Sequence, residues 1–306
     1  MNQTLYEKLV AALGADNIIE QEPMNRHTTF RIGGNADLFV TPQNVEQVKE
    51  VIRFAQEAKV PYYFIGNGSN LLVSDEGIRG LVIQMAENMS AVEVTGYQIK
   101  AQAGISLASL AKKALKDELA GLEFAAGIPG TLGGAVHMNA GAYGGEMKDV
   151  LVEATVLTQD GSILTLSNEE LQLGYRTSVV SEKQYLVLDA TIELQKGKRE
   201  EILAKMDDLA QRRRDKQPLE YPSAGSTFKR PEGYFAGQLI DETGLRGFRV
   251  GGAQISEKHC GFIINTEHAT ASDVRQLIKE VADRVEEKFG VRLQPEVKMI
   301  GFDTKR

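Results

Sequence analysis

Two glycine-rich stretches hold the residues whose types and spacing best suit chemistry. The first is GNGSNLL at 66–72, and the second is AAGIPGTLGGAVHMNAGAYGGE at 125–146. In the second, seven of 22 residues are glycine and Glu146 is the only full charge. Glycine lets backbone N–H groups converge on an anion and lets the chain lie against a flat or phosphorylated ligand. Gly66, Asn67, Gly68, Ser69 and Asn70 form one candidate wall of such a cradle, with Ser69 and Asn70 adding donors. Gly127, Ile128, Pro129, Gly130, Gly133, Gly134, Ala140, Gly141, Ala142 and Tyr143 form the other, and small neighbours such as Ala125, Ala126 and Ala135 leave room. The plainer readings are a tight turn between strands and a buried glycine loop on a core helix. Two such loops in one chain favour a large cofactor carrying a diphosphate.

Familiar phosphate motifs fail their own context. A dinucleotide fingerprint needs a third glycine at position 71, where Leu71 stands, and LLVSD then reads as strand rather than helix. No Gly-Lys-Ser/Thr follows, so there is no P-loop. His27, His137, His259 and His268 show no metal-ligand spacing, and the single cysteine, Cys260, excludes a disulfide framework and a cysteine metal site. No metal is expected. Serines occur without G-x-S-x-G, which weakens a hydrolase reading. The basic run RRRDK at 212–216 ends a helical pattern, where the dipole favours cations; it could also draw in an anionic substrate.

The elements around these loops point to an α+β chain. With 306 residues, 42% hydrophobic and 25% charged, the composition is globular and long enough for two or three domains. A net charge of -7 argues against a nucleic-acid partner, though a local cation cluster can still hold an anion. The N-terminus reads as a short amphipathic helix without a signal-peptide pattern, and no 18-residue apolar run exists. A cytoplasmic protein without a membrane partner is expected.

Residues 30–40 read as strand, Gly-Gly turn and strand; 44–58 as a helix; 61–75 as strand, glycine loop and strand. Strands follow at 80–85 and 91–104, then a helix at 106–119. Residues 125–146 show neither helical nor strand period. Residues 151–166 form a hairpin turning at Asp160-Gly161, and 185–194 form a long strand. A charged helix stops near Pro218; further helices are expected from about 234 and at 271–289, the latter opened by a Thr270/Asp273 capping box. CGFIIN and the tail VRLQPEVKMIGF read as strands. A composition shift at 195–201 places a boundary near 200. The expected division is 1–200, in lobes of about 1–80 and 81–200, followed by 201–306, whose final strand, about 295–306, could return to the first lobe.

Taken together and in order, GNGSNLLVSD, AAGIPGTLGGAVHMNAGAYGGE, GYRTS and AGSTFKRP resemble the bacterial UDP-N-acetylenolpyruvoylglucosamine reductase (MurB) family, over about residues 20–302. The segments near 174–186 and GGAQISEKHCGFIIN resemble its shorter type. The resemblance implies a two-lobed FAD-binding domain of the vanillyl-alcohol-oxidase (PCMH) type and a C-terminal α+β substrate domain. It implies noncovalent FAD, NADPH as co-substrate, a UDP-sugar as substrate and a monomer. NADPH reduces the flavin; NADP then leaves, and an enolpyruvyl sugar nucleotide is reduced to UDP-N-acetylmuramate for peptidoglycan, and hence for the cell wall, cell shape and division.

By the same resemblance, Ser226 matches the proton donor, Arg176 the arginine on the substrate carboxylate and enolate, and Glu296 an acid at the enolate oxygen. Tyr175, Lys229 and His259 match substrate contacts, with Arg230 and Gln254 weaker candidates; His137 is read as a loop residue near the cofactor, not a covalent anchor. Without the resemblance, each catalytic candidate is more simply a turn serine, a surface arginine or an exposed strand glutamate. Two other functions stay open: an FAD-dependent sugar or alcohol oxidase of the same fold, and a sugar-nucleotide binding module without redox chemistry.

Overall fold

The computed structural model describes residues 3–302 and mixes helices with sheets, an α+β fold. Packing divides the chain into two units. One comprises residues up to Ile19, Phe39–Asn67 and Leu81–Arg213; the other comprises Glu20–Leu38, Gly68–Gly80 and the chain from Arg214. Two stretches of the expected first lobe therefore pack with the C-terminal residues.

The first unit is built on a five-stranded antiparallel sheet. Its strand order is Ile163–Ser167, Leu151–Leu157, Leu186–Glu193, Gln98–Gln102, Val92–Thr95. The hairpin expected around Asp160-Gly161 joins the first two of these strands, and Gly161 has φ +85°. Helix Leu107–Lys116 adds Leu107, Leu110, Ala111 and Ala114 to the core, and Ser106 caps it by accepting from Ser109 N at 3.1 Å. Full burial of each such leucine contributes about 1.5–3 kcal/mol. Helix Val45–Glu57 buries Val48, Val51, Ile52 and Ala55, and Asn44 caps it through Gln47 N at 2.9 Å.

The second unit has a four-stranded antiparallel sheet in the order Ser223–Ser226, Phe262–Asn265, Ala253–Ile255, Arg249–Val250. Helix Ala271–Phe289 buries Val274, Leu277, Ile278, Val281 and Val285. Both bonds of its Thr270/Asp273 capping box are made, and Gly290 ends it at φ +68°, where a side chain would be strained. Strand Lys298–Ile300 pairs in parallel with Leu71–Val73. Of the expected terminal strand, residues 303–306 lie outside the described residues.

Two expectations fail, and of the tail read as strand over 291–302 only Lys298–Ile300 is strand. Residues 30–34 are not a strand. Phe30 and Ile32 are buried alternately as a strand would bury them, but Arg31 sits at φ +55° and Ile32 N and O both bond Thr28 Oγ1. The segment is a compact turn, and the strand before the Gly-Gly turn is instead Ile18–Pro23. Residues 125–146 contain a helix, Leu132–His137, so His137 is a helix residue and not a loop residue. Only six residues long with two glycines, that helix is too short for a readable period.

Candidate active site

In the first unit the two glycine stretches abut. A Cβ on Gly66 would lie 2.3 Å from Thr131 Oγ1, so only glycine fits there. Asn67 Nδ2 donates to Pro129 O at 3.2 Å. Among the described residues, the backbone N–H groups of Gly66, Asn67, Gly130 and Thr131 donate to no other residue. Gly134 is open: an added Cβ would meet nothing nearer than Thr131 Oγ1 at 3.5 Å. Clustered unclaimed donors beside an open glycine fit a phosphorylated cofactor. Gly133 serves packing instead, since its N–H bonds Ala103 O at 2.8 Å and an added Cβ would lie 2.9 Å from Ala103 Cβ. Ala140 is buried, while Tyr143 is exposed at φ +54°. Ile128 and Pro129 follow the short helical turn Glu123–Gly127, and Gly141 and Ala142 pair with Gly145 and Glu146.

Tyr175 and Arg176 occupy a two-residue turn closed by Gly174 N to Thr177 O at 3.1 Å. Arg176 has φ +56°, a conformation that costs a side-chain-bearing residue about 1 kcal/mol or more. Its guanidinium donates to Asn139 O at 3.5 Å and Gly141 O at 3.3 Å, and it lies 5.2 Å from the centre of the exposed Tyr175 ring. Ser178 Oγ donates to His137 O at 2.7 Å, pinning the same turn to the second glycine stretch.

In the second unit, residues 294–296 run beside 227–229. Lys229 N donates to Gln294 O and Glu296 N to Thr227 O, each at 2.8 Å. Glu296 thus stands next to the strand end carrying Ser226. Ser226 is exposed and follows Gly225, at φ +75°. Asn70 Nδ2 donates to Glu296 O at 3.2 Å, so the Gly68–Asn70 end of the first glycine loop reaches this carboxylate's backbone. The backbone N–H groups of Gly68, Ser69 and Asn70 also donate to no other described residue. Gly68 has φ +61°, and a Cβ there would overlap His27 O.

His259 Nδ1 accepts from Gly261 N at 3.1 Å, which leaves the proton on Nε2. Burial first, then the charges of Arg246 and Lys216, hold its pKa below the ordinary histidine range, so it is neutral at pH 7. Arg230 stacks 4.0 Å over the exposed Phe235 ring and donates to Tyr234 O, and Gln254 is tied to Arg249 and Gly247 O.

Near-full-length relatives show the family. The chain is 54% identical over 305 residues to the UDP-N-acetylenolpyruvoylglucosamine reductase of Lachnoclostridium phytofermentans, covering 98% of each chain. It is 52% identical over 302 residues to that of Clostridioides difficile, covering 99% of each. The chain belongs to the UDP-N-acetylenolpyruvoylglucosamine reductase family. Residues 217–300 match the model described as the C-terminal domain of this reductase, and 36–167 match an FAD binding domain. The crystal structure of the MurB reductase from Thermus caldophilus superposes at TM-score 0.78 with 38% identity, covering 91% of this chain and 97% of that one. Alkyldihydroxyacetonephosphate synthase, 19% identical, shares the fold at TM-score 0.51 over 64% of this chain. The reductase fold is therefore the expected α+β type with an FAD-binding domain.

Two residues beside the candidate site were not found from sequence. Asn139 is fully buried and joins three segments. Arg213, read in the basic run as part of a helix end or a draw for an anionic substrate, donates from its guanidinium to Gly127 O, and burial lowers its pKa. The glycines near Asn139 and the basic run at 212–216 are the sequence signals for them. No described helix is long and apolar enough to cross a membrane.

Proposed function

We propose that this chain reduces an enolpyruvyl UDP-N-acetylglucosamine to UDP-N-acetylmuramate with NADPH, in peptidoglycan precursor synthesis. The observation that carries the reading is 54% identity across 98% of a reductase of that name, joined to an FAD-binding domain. FAD, held by the glycine stretches at 66–70 and 127–143, would carry a hydride from NADPH to the terminal enolpyruvyl carbon. The chain's own residues handle the charge and the proton. Hydride addition leaves an enolate conjugated with the carboxylate. The planar fork of Arg176 suits a bidentate grip on those oxygens and stabilises the developing charge. Ser226 delivers a proton to the carbon, so hydride plus proton saturate the double bond. Glu296 acts at the enolate oxygen, directly as an acid or through a water. Tyr175, Lys229 and the Nε2–H of His259 hold the sugar nucleotide. The enzyme works as a cytoplasmic monomer.

The test is an anaerobic stopped-flow record of flavin absorbance. The purified protein is reduced with one equivalent of NADPH, then mixed with the enolpyruvyl sugar nucleotide. Rapid return of the oxidised flavin band with UDP-N-acetylmuramate as product is expected. Reoxidation only on admitting oxygen would turn the reading to an oxidase. No flavin band, even after adding FAD, would leave a binding module.

A further inference from the structure

Asn139 has three side-chain partners on two other segments. Its Nδ2 donates to Gly174 O at 3.1 Å and to Glu146 Oε2 at 3.0 Å, and its Oδ1 accepts from Lys148 N at 2.9 Å. The amide is fully enclosed, at 0% exposure, and uses both donors and its acceptor. Its backbone is left-handed, at φ +44°, where asparagine is tolerated better than most residues. That conformation turns Asn139 O towards Arg176, whose second contact, Gly141 O, lies two residues on. One residue thus fixes both ends of the arginine: its side chain holds the turn carrying Arg176, and its carbonyl receives the guanidinium. These two guanidinium contacts, at 3.5 and 3.3 Å, fix the direction in which the group points.

We infer that Asn139 is the positioning residue for Arg176, setting the angle at which the guanidinium meets the enolate; this rests on the role proposed for Arg176. A planar fork tolerates little rotation before a bidentate contact is lost, and a displacement near 1 Å can cost about 10²-fold in rate. The side chain lacks a charge, so on this reading it acts on the reaction by placing Arg176, while its bonds to Glu146 and Lys148 hold the second glycine stretch.

The experiment uses flavin-loaded holoenzyme and measures flavin content, the rate of reduction by NADPH, and the rate of reoxidation by saturating enolpyruvyl sugar nucleotide. Asn139→Ala should retain flavin and slow reoxidation about 10²-fold, with little change in substrate affinity. In an Arg176→Ala background the same change should add almost nothing, because the group it aims is gone. Asn139→Asp keeps the size and the acceptor for Lys148 N but loses the donors to Gly174 O and Glu146 Oε2, so it should slow the same step and serves if the alanine variant does not fold. Normal reoxidation in both Asn139 variants, with Arg176→Ala slow, would overturn the inference and leave the arginine's role standing. Normal reoxidation in Arg176→Ala would overturn both. Additive losses, or loss of flavin from both Asn139 variants, would make Asn139 a folding residue and overturn the inference.

Discussion

Arg176 sits where backbone energy opposes it, at φ +56°, and such strain persists only where surrounding contacts over-determine it. Nothing in GYRTS announces this, since the turn geometry depends on partners at residues 137–141. Ser226 and Glu296 are equally silent in sequence: a serine after glycine and a glutamate after proline have many structural uses. What gathers them is the backbone pairing of 294–296 with 227–229. His259 gives a prediction with a definite sign. Its folded pKa is depressed, so below about pH 6.5 the unfolded chain binds more protons than the folded one. Stability is therefore fully present above the ordinary histidine value and declines as pH falls through it. His259→Asn, which keeps an acceptor for Gly261 N, should flatten that decline in urea denaturation measured across a pH series. An unchanged slope would assign the acid sensitivity to other groups.

Among the elements, the long helices were readable and the six-residue helix Leu132–His137 was not. Helix Ala271–Phe289 could be read from its apolar period and its capping pair, and the local box predicts a local cost. Thr270→Ala should lower stability by about 1 kcal/mol, read as a shift in the urea midpoint with the slope unchanged. A midpoint equal to wild type would mean that Asp75, which accepts from Ala271 N at 2.7 Å and Ser272 N at 2.9 Å, suffices to cap this helix. Helix Leu132–His137 was unreadable because tertiary contacts make it: Leu132 N bonds Ile105 O and Gly133 packs on Ala103. Its open glycine gives the sharper test. Gly134→Val would place two methyl groups in the space beside Thr131, so the purified protein should lose its flavin, seen as the ratio of 450 nm to protein absorbance. Full occupancy with an unchanged melting point would show that this space is not the cofactor's.

For the whole molecule, net charge and local charge pull in opposite directions. The chain carries -7, yet the proposed substrate and co-substrate are both anions. If Arg176 and Lys229 dominate encounter, raising the salt should lower kcat/KM, because screening removes a local attraction. A rate that rises with salt would mean the net charge prevails and these cations contribute little at range. By itself the sequence determined the α+β class, most long helices and strands, the hairpin at Asp160-Gly161 and the two glycine-rich stretches. Those features rest on local periodicity, caps and turns, which act over a few residues. Only the tertiary structure decided that Glu20–Leu38 and Gly68–Gly80 pack with the C-terminal residues, that residues 30–34 turn instead of extending, and that Asn139 fastens the Arg176 turn. The first and last depend on hydrogen bonds and close packing between residues distant in the chain, and no local pattern encodes which distant group will arrive; the turn is closed between Thr28 and Ile32, where the alternating burial of Phe30 and Ile32 mimics a strand.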